Sequence, residues 1–407
     1  MITERTTCRA CDCADLDLVV DLGEIYPSNF ISEGGSPVGP FPMALVQCKG
    51  CDLVQMKHTL DLDVSYRQYW YASALNASMV DALEDIADDV HERIHLRRGD
   101  VLVDIGCNDG TLLSMFHKRL TRVGVDPALN LGDRAREHCD VFINDYFTGS
   151  ALDKENLGKA KVITSIAMFY DLEDPNAFID SVRKNLADDG LWVIQMMDLK
   201  CMMETKAFDN ICFEHLEYYS LAVLIPLLAK HGLLVEDVSY NTVNGGSLRA
   251  IVRHVGQGFY PTEAVGIALT EEKAALEKFP VADLGRVVKE VIRDVRALIK
   301  EVSEDGPVYV LGASTKGNTL LQVCGLDYRD LPKALEVNSD KFGMKTVATN
   351  IPIVKESEGM KDEPAGLLIL PWCFTSFFKG VFAEYMEDGG KLIAPLPEPR
   401  IIQKEII

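Results

Sequence analysis

The stretch VLVDIGCNDGTLL, residues 101–113, decides the fold of this chain. Its opening residues are apolar but for one aspartate, the pattern of a strand buried on both faces. Asp104 stands at the end of that strand, Gly106, Asn108 and Gly110 follow in the turn, and GTLLSMFHKRL then predicts a helix. Glycines in such a turn let backbone approach a ligand closely, and a helix N-terminus favours a carboxylate or phosphate. The spacing is D-x-G-x-x-x-G, not the G-x-G-x-x-G of a dinucleotide-binding turn.

The neighbouring segments narrow the ligand. TRVGVDP places Asp126 at the end of a second strand, where a carboxylate can take two ribose hydroxyls. VFIND is a third strand, and Asn144 and Asp145 after it can address an adenine edge. KVITSIAMF and GLWVIQMM continue as strands with the helix NAFIDSVRKNLADDG between them, and Ala167 falls just after the first. Strands alternating with helices of about ten to fifteen residues argue a doubly wound α/β sheet. Together these segments look like a class I, Rossmann-like methyltransferase fold binding S-adenosylmethionine, with an NAD-type Rossmann domain as the alternative.

The bulk properties bound the rest. The 407 residues carry 62 acids against 41 bases, a formal charge of -21, which repels nucleic-acid backbones. No apolar run approaches the roughly 18–20 residues that span a bilayer, and the polar start MITERTTCRAC lacks a signal-peptide core. Eleven cysteines in so long a chain point to reduced thiols or metal ligands. A cytoplasmic, multidomain protein is expected, without nucleic-acid or membrane partners.

Cys8 and Cys11 form CRAC, and Cys48 and Cys51 form CKGC. Two such knuckles present four thiolates to one tetrahedral ion, and four thiolates suit a structural zinc. Cys13 lies close enough to compete as a ligand. Beyond the first α/β block, a charged helical region over 261–304 reads as a connector, and a second block opens with GPVYVLGASTKGNTLLQVCG. There Ser314, Lys316 and Asn318 stand where a diphosphate can meet backbone N–H groups and one ammonium, and Arg249 is a second cation for a phosphate. The expected domains are 1–65, 66–255 and 256–407.

One stretch remains, FDNICFEHLEYYS (208–220), with Glu214, His215, Glu217, Tyr218 and Tyr219 in six positions. By itself it reads as a solvated loop, a metal site or a proton-transfer centre. With AMFYDLEDP (167–175), NGGSLR (244–249) and LGASTKGNTLLQ (311–322), in this order behind the cysteine knuckles, the chain resembles the three-part sugar C-methyltransferases that act on nucleotide-linked 4-keto-deoxysugars. The resemblance runs nearly end to end. It implies a zinc lobe, a central S-adenosylmethionine domain and a C-terminal Rossmann-like domain that helps hold a nucleotide-sugar, dTDP- or GDP-linked. It also implies methylation at C3, next to the C4 ketone; a monomer or weak dimer is expected.

The family's Glu-His pair falls on Glu214 and His215, its following tyrosine on Tyr218 or Tyr219, and its upstream Y-x-Y-x-S element on Tyr69, Tyr71 and Ser73, with Tyr71 the better match. Carbon methylation needs a carbanion equivalent, and histidine is a base matched to neutral pH. His215 is the candidate base, Glu214 its neighbour at the sugar, and Tyr71 or Tyr219 the hydroxyl facing the C4 oxygen. Asn244 can reach the same pocket. Oxygen or nitrogen methylation of a related sugar, or cofactor binding without catalysis, are the alternatives.

Overall fold

The computed structural model describes residues 2–61, 72–75 and 77–404. The N-terminal segment carries β1 Ile2–Glu4, β2 Leu16–Ile25, β3 Phe30–Ile31, β4 Phe41–Cys48, β5 Val54–Met56 and β6 His58–Leu60. Its two C-x-x-C turns are built alike. Asp12 N–H donates to the Cys8 carbonyl at 3.0 Å and Cys8 N–H to Cys13 at 2.9 Å; Asp52 N–H and Cys48 N–H repeat the pattern on Cys48 and Leu53, both at 2.9 Å. Asp12 and Asp52 both sit at left-handed φ, 59° and 63°, a conformation aspartate tolerates better than most side chains.

The central sheet is formed by β7 Val101–Ile105, β8 Thr121–Val125, β9 Val141–Ile143, β10 Ala160–Ile166, β11 Leu186–Met197, β13 Leu233–Asn241 and β14 Ser247–His254, while β12 Glu217–Tyr218 lies outside it. The order is β9-β8-β7-β10-β11-β14-β13, parallel from β9 to β11 and antiparallel at β14 and β13. Successive side chains pack on opposite faces, as the pleat demands. Val103, Ile163 and Trp192 enter the core on one face, and Leu102, Val162 and Leu191 that on the other. Strand order reverses between β7 and β10, so a crevice opens beyond their C-terminal ends. The helix expected over GTLLSMFHKRL is only one turn, Thr111–Ser114. Phe116 turns into the core, and a bond from Leu120 N–H to the His117 carbonyl bends the chain back into β8.

Helices Glu263–Lys278 and Leu284–Ser303 lead to the C-terminal sheet. The second buries Val288, Val291, Val295, Ile299 and Val302, a stripe at helical spacing. The remaining strands are β15 Val308–Leu311, β16 Ala334–Glu336, β17 Lys345–Thr346, β18 Ile353–Lys355, β19 Gly366–Ile369, β20 Lys391–Ala394 and β21 Arg400–Ile402. They form the sheet β18-β16-β15-β19-β20-β21, with β17 paired instead to β3 of the N-terminal lobe. That lobe also pairs β5 with β12, so it is stitched by backbone to both α/β units. No helix among the described residues is long and apolar enough to cross a membrane.

Arg249 is buried and ties helix Ala77–Arg93 to the sheet. Its guanidinium meets Asp85 at 2.6 Å and Asp89 at 3.2 Å, while Nε donates to Gln195 Oε1 at 2.9 Å. The expected phosphate contact is thus replaced by two carboxylates of its own chain. Without the guanidinium, Asp89 keeps Arg93, Gln195 keeps Asn241 and Asp85 stays at the surface, so losing Arg249 costs about 1–2 kcal/mol. Arg249→Ala is expected to lower unfolding stability by about that amount in urea titration.

Candidate active site

A cavity of about 560 Å³ opens at the β7/β10 reversal. At one end it is lined by Asp104, Gly106, Asn108, Asp126, Asp145 and Ala167, all expected from the sequence. Gly106 has φ 74°, and a Cβ there would come within 3.0 Å of Met168, so only glycine keeps this approach open. The Asp126 carboxylate is oriented by two backbone donors, Asn108 N–H on Oδ2 and Ala128 N–H on Oδ1, both at 2.8 Å. Asp104 accepts from the Thr164 hydroxyl at 2.6 Å. Burial raises the pKa of Asp104 to about 7 and pushes Asp126 upward as well. Two desolvated carboxylates at one end of a cavity suit a ligand with positive charge and ribose hydroxyls, which S-adenosylmethionine carries.

At the other end lie Tyr170, Asp171, Glu214 and His215. His215 Nδ1 is 2.8 Å from the Asn210 carbonyl. A carbonyl only accepts, so Nδ1 carries the proton and Nε2 keeps the lone pair. Burial lowers the His215 pKa to about 3, and the Lys316 cation adds to the shift while the Asn210 carbonyl opposes it. Burial pushes Glu214 in the opposite direction, upward. Lys316, on helix Thr315–Val323 of the C-terminal unit, is the single lysine or arginine among the described lining residues. That helix is docked on the FDNIC stretch: Thr319 Oγ1 donates to the Ile211 carbonyl at 3.1 Å. Nearby, Trp372 Nε1 donates to Asp209 at 2.8 Å.

Other expected site residues stand elsewhere. Asn144 donates to the Asp126 and Ala128 carbonyls, holding the turn that orients Asp126. Gly110 packs against Ala135 and His138 at φ 80°. Ser314 caps its helix through Gly317 N–H at 3.0 Å, and Asn318 donates to the Asn29 carbonyl at 3.3 Å. Tyr218 donates to the Asn210 carbonyl at 3.3 Å, and Tyr219 is fully buried against Phe169. None of these six, nor Arg249, lines the cavity; Asn244 does, and Tyr71 lies outside the described residues. The sequence reading missed Tyr170 and Asp171, although their place just after β10, at the reversal, was a usable signal. It also missed Asn29, Pro37 and Val38, which the N-terminal lobe lends to the cavity; no local pattern announces them.

The sulfurs of Cys8, Cys11, Cys48 and Cys51 all lie within 4.8 Å of one another, with Cys8–Cys51 and Cys11–Cys48 at 3.5 Å. A tetrahedral zinc with Zn–S of about 2.3 Å sets sulfurs roughly 3.8 Å apart, so the four thiols fit it and close its coordination. Cys13 is outside the set. Next to Cys8, buried Arg9 donates to Met56 O at 2.7 Å, Thr59 Oγ1 at 2.7 Å and Glu173 at 3.2 Å. Glu173 lines the cavity, so the cysteine turn braces the loop after β10.

Three family models match in series: a zinc binding domain over residues 8–66, a methyltransferase domain over 71–238 and a C-methyltransferase C-terminal domain over 242–397. The C-methyltransferase NovU of Streptomyces niveus is 30% identical over 98% of this chain and 97% of its own length. Among solved structures, a chain of the Haloferax volcanii complex of Trm112 activator and methyltransferase is 15% identical, covering 44% of this chain and 94% of its own, TM-score 0.35. Magnesium protoporphyrin IX methyltransferase of Synechocystis PCC 6803, with bound S-adenosylmethionine, is 13% identical over 43% of this chain and 78% of its own, TM-score 0.32. At this similarity the two structures bear on neither ligand nor activity.

Metal analysis of the purified chain is expected to find one zinc, absent in Cys48→Ser, and a chelator is expected to lower the melting temperature. Cofactor affinity carries a pH signature. A cationic ligand binds the ionised form of Asp104, so affinity is full above its pKa of about 7 and falls about tenfold per unit below it. Isothermal titration with S-adenosylmethionine from pH 5.5 to 8 checks this, and Asp104→Asn is expected to bind weakly with a flatter profile, in which only Asp126 titrates, upward of its usual range.

Proposed function

The chain belongs to the S-adenosylmethionine-dependent C-methyltransferases built from a zinc-binding lobe, a methyltransferase domain and a C-methyltransferase C-terminal domain, and we propose that it methylates C3 of a nucleotide-linked 4-keto-deoxysugar. The observation that carries this reading is one cavity joining the Asp104–Asp126 end to His215, Glu214 and Lys316. A tautomer-fixed histidine with a free Nε2 lone pair can take a proton next to a ketone, and a neighbouring cation favours the enolate that forms. The His215 pKa of about 3 makes it a weaker base than the near-neutral one expected from the sequence. Transfer to an oxygen or nitrogen needs no such base on carbon.

In the proposed reaction Nε2 of His215 takes the C3 proton, and Glu214 orients the sugar through a hydroxyl. Bound S-adenosylmethionine supplies an electrophilic methyl group. Lys316 offsets negative charge on the substrate, a dTDP- or GDP-linked diphosphate included, and Asn244 stands at the same pocket. Residues 1–65 would serve as the structural zinc lobe, 66–255 as the cofactor domain and 256–407 as the nucleotide-sugar domain, in a cytoplasmic monomer or weak dimer.

Incubating the protein and methyl donor with a panel of nucleotide 4-keto-sugars, with mass spectrometry and carbon NMR of the product, tests the reading; a methyl on oxygen or nitrogen would overturn it. His215→Ala is expected to lose about 10²–10⁴-fold in kcat with cofactor affinity kept. Because the imidazole stays neutral down to about pH 3, kcat/KM for the sugar at saturating S-adenosylmethionine, which removes the Asp104 contribution, is expected to show no acid limb near pH 6.5 from this group.

A further inference from the structure

We infer that Tyr170 donates the hydrogen bond that meets the enolate oxygen as the proton leaves, an assignment that rests on the carbon methylation proposed above. The carbon that loses its proton and the oxygen that takes up the charge are two covalent bonds apart on the substrate. A donor to that oxygen therefore stands beside the base, not across the cavity from it. Tyr170 meets this condition. Its ring lies edge-on to the His215 imidazole, centroids 4.5 Å apart and planes at 68°, and both residues line the cavity. Backbone ties the pair as well: Leu216 N–H, next to the base, donates to the Tyr170 carbonyl at 2.8 Å. Base and phenol thus hold a common register.

Of the tyrosines that the sequence pointed to, Tyr71 lies outside the described residues, and Tyr218 and Tyr219 are held away from this spot. Tyr218 donates to the Asn210 carbonyl, and Tyr219 packs against Phe169 with centroids 5.2 Å apart; neither lines the cavity. Tyr146 does line it but follows Asp145, at the end that suits the cofactor. Lys316 in the same cavity makes negative charge on the substrate favourable.

The proton inventory balances with the phenol as donor only. The C3–H bond breaks, its proton goes to Nε2 of His215, and the electron pair spreads onto the C4 oxygen, which accepts the Tyr170 O–H without removing its proton. As the new C–C bond forms to the methyl and the S–C bond breaks, the C4 carbonyl is restored and the imidazolium returns its proton to solvent. An interaction that strengthens only as charge develops acts on kcat and leaves KM nearly unchanged.

The test uses Tyr170→Phe in the full chain, with a dTDP-linked 4-keto-2,6-dideoxyhexose in deuterated buffer. Deuterium entry at C3 without methyl donor and methyl transfer with it are expected to fall together, by about 10²–10³-fold. KM, cofactor affinity and melting temperature are expected to hold. Wild-type exchange alongside equally fast exchange in Tyr170→Phe overturns the assignment to Tyr170 alone, whereas a wild type that neither exchanges nor methylates carbon with any sugar of the panel fails the proposed function itself. If Tyr170→Phe loses cofactor binding, 3-fluorotyrosine at position 170 decides. The alkaline limb of the rate moves to lower pH with the more acidic phenol, or stays in place and overturns the inference.

Discussion

Residues 208–219 are hydrogen-bonded to all three parts of the chain, and the chemistry of the site depends on that constraint. Glu217 and Tyr218 pair with β5 of the cysteine lobe. Leu216 N–H reaches Tyr170, just past the central strand β10. Ile211 O and Asp209 are held by Thr319 and Trp372 of the C-terminal unit. A short stretch with little regular structure has low intrinsic order, and three independent anchors remove that freedom before substrate arrives. The Asn210–His215 bond inside it then sets which imidazole nitrogen is free.

The cysteine cluster gains a second meaning from this arrangement. A lobe of about sixty residues has too small a core to hold itself firmly, and a closed metal site compensates. Its rigidity is passed on, since Arg9 beside Cys8 holds Glu173 on the cavity wall. The lobe also lends Asn29 and Val38 to the cavity, with the adjoining strand β3 held by β17. A zinc that never meets substrate can thereby influence where substrate sits.

Charge is distributed with the same economy. The chain is strongly acidic overall, and its cavity follows suit: desolvated Asp104 and Asp126, with Asp145, Asp171, Glu173 and Glu214, face a single lysine among the described lining residues. Asp104 and Asp126 await a cationic ligand, and the lysine disfavours a charged His215 while favouring an anion next to it. Arg249 shows how local pattern can mislead here. In NGGSLR it reads as a free cation for phosphate, but its place on β14 against helix Ala77–Arg93 commits it to Asp85 and Asp89. A cation inside a fold pairs with the nearest acid, and only tertiary contacts say which acid that is.

What the sequence determined by itself was whatever rests on spacing along the chain. The paired C-x-x-C knuckles, the strand-turn sequence from Asp104 to Gly110, and Asp126 at the next strand end are local geometry, because a strand end or a tight turn presents its side chains in one way. The choice among neighbouring hydroxyls was not local. Tyr218 and Tyr219 stand next to each other in the motif, yet alternation in β12 and packing against Phe169 turn both away from the cavity. Tyr170, more than forty positions upstream, is brought to His215 by the reversal of the sheet and one backbone bond to Leu216. Which groups share the cavity was decided by sheet order and domain docking, because contacts between distant residues exist only once the chain has folded.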